Sequence, residues 1–134
     1  MNIDDGKSDA NTSGGKPRIL IADDVPALRK LLRRMIQADG RFEVAGEAED
    51  GEQAVQLATE LQPDLVILDL MMPGKSGIEA LHEIRDSSPS SKVLIFSGLS
   101  PDHVSGAVEA DGFLEKGSNR DQIMAEIERL LGQR

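Results

Sequence analysis

The stretch Leu65-Val66-Ile67-Leu68-Asp69 places an acidic residue directly after four consecutive aliphatic residues. A short, continuous apolar run of this kind is typical of a strand that is buried on both faces of a parallel sheet. Pro73 and Gly74 follow a few residues later and favour a loop rather than a continuation of the strand. The stretch therefore predicts a central strand that ends at a carboxylate.

Four similar runs and several segments of helical period surround this strand. The further strands are predicted at Ile19 to Ala22, Phe42 to Ala45, Val93 to Phe96 and Phe113-Leu114. Apolar stripes at three- and four-residue spacing predict helices around Leu28, Leu31, Leu32, Met35 and Ile36, around Ala54, Leu57, Ala58 and Leu61, and around Ile123, Ile127, Leu130 and Leu131. A third helix is predicted over Gly77 to Arg85, and a short fourth helix over about Asp102 to Ala110. This alternation indicates one α/β domain, with helices on both faces of a parallel five-stranded sheet.

Residues that start and stop helices agree with these segments. Four signals are expected at helix ends: Pro26 in the first turn of the first helix, the capping box Asp50 with Gln53, Pro63 after the second helix, and Ser118 with Asp121 at the start of the last. The basic residues Arg29-Lys30 and Arg33-Arg34 lie between the apolar positions of the first helix, so we interpret them as its solvated face.

The composition excludes several classes of function. The chain of 134 residues has no cysteine, which removes disulfides and thiol nucleophiles. A net charge of −9 argues against general nucleic-acid binding and against docking on anionic lipid. Without a long apolar stretch or a signal peptide, the sequence predicts a cytoplasmic protein that is not bound to a membrane. Residues 1–16 are polar and predict a disordered N-terminal arm before a domain over residues 17–134.

Acidic residues follow two strands that are expected to be neighbours. Asp23-Asp24 comes after the first strand, as Asp69 comes after the third. In open α/β sheets ligands bind beyond the carboxyl ends of the strands, and in the order 2-1-3-4-5 the first and third strands meet there. Two carboxylates about 4 Å apart repel by roughly 4 kcal/mol at an effective dielectric constant of 20, so such a cluster takes up a proton or binds a cation such as Mg²⁺. Each Asp alone is explained equally well as a helix cap, but three converging acids favour a cation site.

Two other strand ends supply further chemistry at this edge. Ser97 ends the fourth strand and Lys116 follows the fifth. A carboxylate nucleophile, a divalent ion, a fixed cation and a hydroxyl are what the transfer of a phosphoryl group onto an aspartate requires. Taken alone, Lys116 is more simply a surface cation and Ser97 a turn residue.

The ordered set of these motifs resembles the receiver domain of two-component response regulators. The matching motifs are Ala22-Asp23-Asp24, Asp50-Gly51, Leu68 to Gly77, Ser97 and Lys116, and the resemblance spans about Pro17 to Gly132. It implies a flavodoxin-like (βα)5 fold with the strand order 2-1-3-4-5 and a short fourth helix. It also implies that Asp69 accepts a phosphoryl group from a sensor histidine kinase or a histidine phosphotransfer protein.

The same resemblance implies the ligands of a Mg²⁺ ion. They are Asp24, Asp69 and the backbone carbonyl of Met71, with Asp23 contributing mostly through a metal-bound water. Lys116 would pair with a phosphate oxygen, and Gly98 would leave the phosphoryl site open.

The resemblance further implies a switch. Ser97 would swing in to bind the phosphoryl group, and Phe113 would turn inward and change the face made by the fourth helix, the fifth strand and the last helix. The alternative is that Phe113 belongs permanently to the core. Only 18 residues separate Ser97 from Lys116, about three fewer than expected, and Gly117-Ser118 stands where many members have proline.

Several functions remain open at this point. The chain is expected to be a stand-alone receiver that signals to a downstream protein, as a monomer or weak dimer, and that catalyses only its own phosphotransfer and slow dephosphorylation. A phosphorelay intermediate and a constitutive docking module are the alternatives. A haloacid-dehalogenase-like phosphatase would carry a second aspartate where this chain has Met71. A flavodoxin-like FMN carrier would need a Ser/Thr-rich phosphate loop after the first strand.

Overall fold

Five parallel strands form one sheet in the order 2-1-3-4-5, counted along the chain, as predicted. The computed structural model describes residues 15–98 and 109–131. Its elements are β1 Arg18–Ala22, α1 Pro26–Asp39, β2 Glu43–Ala48, α2 Gly51–Leu61, β3 Leu65–Leu68, α3 Gly77–Ser87, β4 Lys92–Ser97, β5 Gly112–Glu115 and α4 Arg120–Leu131. The predicted fourth helix and N-terminal arm lie outside the described residues except for two residues each. The label α4 therefore denotes the last predicted helix, which is the fifth in the sequence.

The two faces of the sheet carry separate apolar cores. Side chains of β1 and β3 that alternate along each strand point to opposite faces, so Ile19 and Ile67 pack with α1 and α4, whereas Leu20 and Val66 pack with α2 and α3. All four residues of β3 are buried, and each fully buried aliphatic side chain contributes roughly 1.5–3 kcal/mol. Within the described residues, no helix is long and apolar enough to cross a membrane.

Two expectations from the apolar patterns need correction. Leu31 belongs to the predicted buried stripe of α1 but is 52% exposed, because it stands at the margin of the face that α1 turns to the sheet. The second strand is longer than the predicted Phe42 to Ala45 and runs over Glu43–Ala48. It lies at the edge of the sheet, so polar side chains such as that of Glu47 are tolerated, and its register with β1 shifts between Ile19 and Leu20.

The predicted starts of the first two helices are largely confirmed. Pro26 is the first residue of α1 and fits a position where no N–H is needed. Asp50 caps α2, since its Oδ1 accepts a hydrogen bond of 2.7 Å from the backbone N–H of Gln53. The reciprocal half of that box is different, because the Gln53 side chain accepts from the N–H of Glu49 rather than of Asp50.

The predicted start of the last helix is wrong. Asn119 is the capping residue: its Oδ1 accepts from the N–H of Gln122 at 2.9 Å, and the Gln122 side chain accepts from the N–H of Asn119 at 2.8 Å. Ser118 instead donates its hydroxyl to the carbonyl of Glu115. The Asn/Gln pair satisfies two N–H groups at the helix end reciprocally, and Asp121 has no part in it.

Candidate functional site

The carboxyl ends of four strands bring the predicted site residues to one edge of the sheet. Asp23 follows β1, Asp69 follows β3, Ser97 is the last residue of β4, and Lys116 follows β5. Main-chain hydrogen bonds continue the strand pairing beyond these ends, from Asp23 to Ala48, from Asp69 to Ala22 and from Lys116 to Ser97, at 3.0, 2.9 and 2.8 Å. The backbone thus fixes these loops against one another.

The three acids converge as the sequence predicts. One carboxylate oxygen each of Asp23, Asp24 and Asp69 lies within 4.8 Å of the other two. Asp23 and Asp69 are 2% and 1% exposed, whereas Asp24 is open to solvent. Each buried carboxylate is oriented by its own loop, because Asp23 Oδ1 accepts from the N–H of Val25 and Asp69 Oδ1 from the N–H of Met71, at 2.8 and 3.0 Å.

Lys116 bridges the two buried carboxylates. Its Nζ lies 2.9 Å from Asp23 Oδ2 and 3.1 Å from Asp69 Oδ2, and the side chain is 27% exposed. One ammonium group therefore faces three carboxylates, and the site keeps an excess of negative charge. A second cation can offset this excess, and hard carboxylate oxygens are the donors that Mg²⁺ prefers. The donor set fits such an ion.

Burial and charge act on the protonation of the site in opposite ways. Burial raises the pKa of Asp69, and the neighbouring Asp23 charge adds to the rise, while the hydrogen bonds from Met71 and Lys116 oppose it. Burial also lowers the pKa of Lys116, but its hydrogen bonds to Asp23 and Asp69 outweigh that effect and leave the pKa above the ordinary value. Lys116 is consequently charged at neutral pH. Burial and the Asp23 charge disfavour the ionised form of Asp69, and a bound cation would stabilise that form.

The remaining predicted residues lie around this cluster. Ser97 is fully buried, and its carbonyl accepts the hydrogen bond from the Lys116 N–H. A Cβ atom at Gly98 would meet no atom within 4 Å, so the space beside β4 is open. Phe113 is partly buried and packs against the core formed with α2 and α3. Their roles in phosphate binding and switching stay predictions.

The loop that carries Asp69 and Met71 is pressed against the start of α3. A Cβ atom at Gly77 would lie 2.4 Å from the Cα of Leu70 and 3.0 Å from the carbonyl oxygen of Asp69. Only glycine allows this approach. The capping box of α3, in which Ser76 and Glu79 each accept from the other's N–H, holds the same corner, so the position of the Asp69 carboxylate depends on it.

Arg29 contacts the site, although its place between apolar positions of the first helix predicts a solvated face. Its side chain is 15% exposed and donates to the carbonyl of Asp23 and, at 3.1 Å, to Glu47 Oε1. The helical pattern alone does not reveal this contact, because Glu47 lies beyond the predicted end of the second strand.

Comparison with known proteins identifies the family. The model of the response regulator receiver domain matches residues 19–128. The chain belongs to this family. The receiver is 38% identical to the nitrate/nitrite response regulator NarL of Escherichia coli over 109 residues, which are 79% of this chain and 50% of NarL. The chain thus spans half the length of that relative.

Solved receiver structures share the fold. A two-component response regulator of the LuxR family from Aurantimonas is 33% identical, with a TM-score of 0.79 over 90% of this chain and 89% of the other. The response regulator TrrA of Thermotoga maritima, solved in complex with Mg²⁺ and BeF, is 35% identical, with a TM-score of 0.78 over 86% of this chain and 99% of the other.

Proposed function

We propose that this receiver accepts a phosphoryl group on Asp69 from the phosphohistidine of a sensor kinase or a histidine phosphotransfer protein. The observation that carries the proposal is the buried Asp69 carboxylate, which shares one ammonium group with Asp23 at the open edge of the sheet. A carboxylate in this position is shielded from bulk water and has an ammonium group beside it to offset the charge of its ionised form.

In the proposed reaction a carboxylate oxygen of Asp69 attacks phosphorus and the bond from phosphorus to the histidine nitrogen breaks. The imidazole leaves with the electron pair and takes up a proton. Asp69 Oδ1 is engaged by the Met71 N–H and Oδ2 by Lys116. The ammonium group must therefore pass from Oδ2 to an oxygen of the phosphoryl group, while Asp23 keeps its other side in place. Lys116 and the Ser97 hydroxyl would then neutralise and bind the transferred group.

A Mg²⁺ ion is part of the proposal. Asp24, Asp69 and the backbone carbonyl of Met71 would hold it, with Asp23 acting through a water. Such an ion neutralises charge on the phosphoryl oxygens during transfer. The convergence of the three acids supports this assignment, and the TrrA complex supports it by likeness.

Signalling would follow from a shift between two conformations of the same fold. Ser97 and Phe113 are the proposed switch, and the face made by the predicted fourth helix, β5 and α4 is the proposed surface for a downstream protein partner. Phe113 packs on the α2 and α3 side of the sheet and stands three residues before Lys116, so a displacement of Lys116 reaches it along β5.

Incubation with acetyl phosphate and Mg²⁺, followed by mass spectrometry of the intact protein, tests the proposal. We expect a mass gain of one phosphoryl group in the wild type, complete loss of that gain in Asp69→Asn, and no change in Asp86→Asn, which replaces an exposed aspartate of α3. Equal labelling of Asp69→Asn and wild type would overturn the acceptor assignment. Labelling without any change in partner binding would favour the docking module.

A further inference from the structure

Arg29 joins three parts of the receiver next to the acidic site. It belongs to α1, it donates to the carbonyl oxygen of Asp23 at the end of β1, and it donates to the carboxylate of Glu47 on β2. Glu47 stands opposite Ile21 in the paired strands, so this anchor is part of the sheet. Arg29 itself is mostly buried, which makes the arrangement more rigid than a surface ion pair.

The carbonyl that Arg29 holds belongs to the peptide between Asp23 and Asp24. The orientation of this peptide decides where the Asp24 side chain begins. Among residues 15–98 and 109–131, no hydrogen bond or ion pair orients the Asp24 carboxylate, in contrast to Asp23, whose two oxygens are bound by Val25 and Lys116. Asp24 is therefore positioned by its backbone, which Arg29 holds from α1 and the Asp23 carboxylate holds through the Val25 N–H.

Glu47 keeps Arg29 in place. Its carboxylate also accepts from Arg33, at 2.5 Å. This hydrogen bond, with smaller contributions from the charge of Arg33 and from Arg29, outweighs the opposing effect of burial and holds the pKa of Glu47 below its usual range. The carboxylate thus stays ionised around neutral pH. Arg33 shares this partner but makes no contact with Asp23, so the two arginines differ in one respect that matters for the site.

We propose that Arg29 is a positioning residue of the cation site: anchored by Glu47, it fixes the Asp23–Asp24 peptide so that Asp24 and Asp69 face the same ion. The inference rests on the proposed function, because it assigns a role toward the Mg²⁺ of that site. Arg29 does not touch the ion. The loss of a residue that orients a metal ligand without binding the metal typically lowers metal affinity 10- to 100-fold.

The sign of the effect separates positioning from simple electrostatics. Arg29 carries a positive charge near a cation site, so removing the charge alone would strengthen Mg²⁺ binding. Loss of positioning would weaken it. Arg33→Gln removes an equal charge one helical turn away and leaves the Asp23 carbonyl bond intact, which makes it the matched control.

Isothermal titration with Mg²⁺ of the full chain tests the inference. We expect Arg29→Gln to bind Mg²⁺ about tenfold more weakly than the wild type, Arg33→Gln to stay within about twofold, and Arg29→Lys to recover part of the loss. We also expect saturating Mg²⁺ to restore most of the rate at which Arg29→Gln is labelled by acetyl phosphate, because the acceptor itself is unchanged. Arg29→Gln binding as tightly as Arg33→Gln, or more tightly than the wild type, would overturn the inference.

A second variant keeps the test decisive if Arg29→Gln does not fold. Glu47→Gln leaves Arg29 present but removes its anchor, and we expect a severalfold loss of Mg²⁺ affinity, against little change in the charge-matched Glu49→Gln. Equal affinities in these two variants would contradict the inference. A wild-type protein that binds no Mg²⁺ would instead remove the proposed function, and the role of Arg29 with it.

Discussion

The central strands β1 and β3 and the edge strand β5 hold opposite halves of the site by different means. β3 is buried at every residue and β1 at four of five, whereas no residue of β5 is buried. Asp23 and Asp69 therefore follow strands that are fixed by apolar burial, and Lys116 follows a strand that is less buried. The half that follows β5 can move at lower cost, because displacing β3 would expose fully buried aliphatic side chains, whereas the apolar side chains of β5 are only partly buried.

Polar contacts compensate for the weak burial of β5. The residue before the strand, Asp111, accepts hydrogen bonds on Oδ2 from the Val93 N–H at 2.8 Å and from Arg85 at 3.0 Å. Its carbonyl accepts from Arg129 of α4 at 3.0 Å. Contacts of this kind contribute about 1 kcal/mol each. They locate β5 between α3 and α4 and still leave it easier to displace than its neighbours.

The largest effect is expected where the two halves meet. Lys116→Met leaves Asp23 and Asp69 without their shared cation, so we expect the free energy of unfolding to fall by about 2 kcal/mol in Mg²⁺-free buffer. We also expect tighter Mg²⁺ binding, because the ammonium group no longer competes for the same oxygens. Urea unfolding with and without Mg²⁺ measures both effects.

Lys92→Met is the matched control for this variant, since Lys92 is an exposed lysine at the start of β4. If Lys116→Met were as stable as Lys92→Met without Mg²⁺, the ion pairs of Lys116 would not be what joins the two halves.

A smaller effect is expected from the burial of Asp69, which disfavours its ionised form. Because the pKa of Asp69 is raised in the folded protein, the folded state holds this proton more tightly than the unfolded state, and ionisation of Asp69 costs stability. In Mg²⁺-free buffer Asp69→Asn should therefore be more stable than the wild type at neutral pH. The advantage should shrink as the pH falls through the raised pKa and vanish below the ordinary aspartate pKa.

Each unit by which the two pKa values differ corresponds to about 1.4 kcal/mol. Unfolding by urea at several pH values measures the difference between the two proteins, with Asp86→Asn as a control that should show no such trend. An advantage that stays constant or grows toward low pH would contradict the assigned direction.

The smallest effect is expected at the edge strand. Arg85→Gln removes the hydrogen bonds to Asp111 and to the Glu109 carbonyl, so we expect a loss of about 1 kcal/mol in stability. Hydrogen exchange should become faster at the amides of β5 while those of β3 stay protected. Arg34→Gln, an exposed change on α1, should alter neither strand. Equal acceleration in β3 and β5 would show that the two strands open together.

Much of this site was predictable because it depends on strand ends. Asp23, Asp69 and Lys116 each follow an apolar run, and parallel strands bring their carboxyl ends to one edge, so their convergence requires only the order of the strands. The start of α4 was harder to predict. Asn119 with Gln122 and Ser118 with Asp121 are both acceptable pairs, and only the packed structure decides between them.

The contact of Arg29 could not be predicted for a different reason. Its partners, the Asp23 carbonyl and Glu47, are a main-chain atom and a residue on another strand, and a long side chain between apolar positions of a helix is ordinarily solvated. Gly46 and Glu47 also interrupt the apolar pattern of β2, which concealed where that strand ends. Contacts that depend on a side chain's reach leave little trace in periodicity.

Gly77 fits closely against Leu70, next to the acceptor. Asp69, Met71 and Gly77 lie within nine consecutive residues, and Ala22 and Lys116 add contacts to the acceptor from outside this segment. Any side chain at residue 77 would push against the backbone of Asp69 and Leu70 and so displace the acceptor itself.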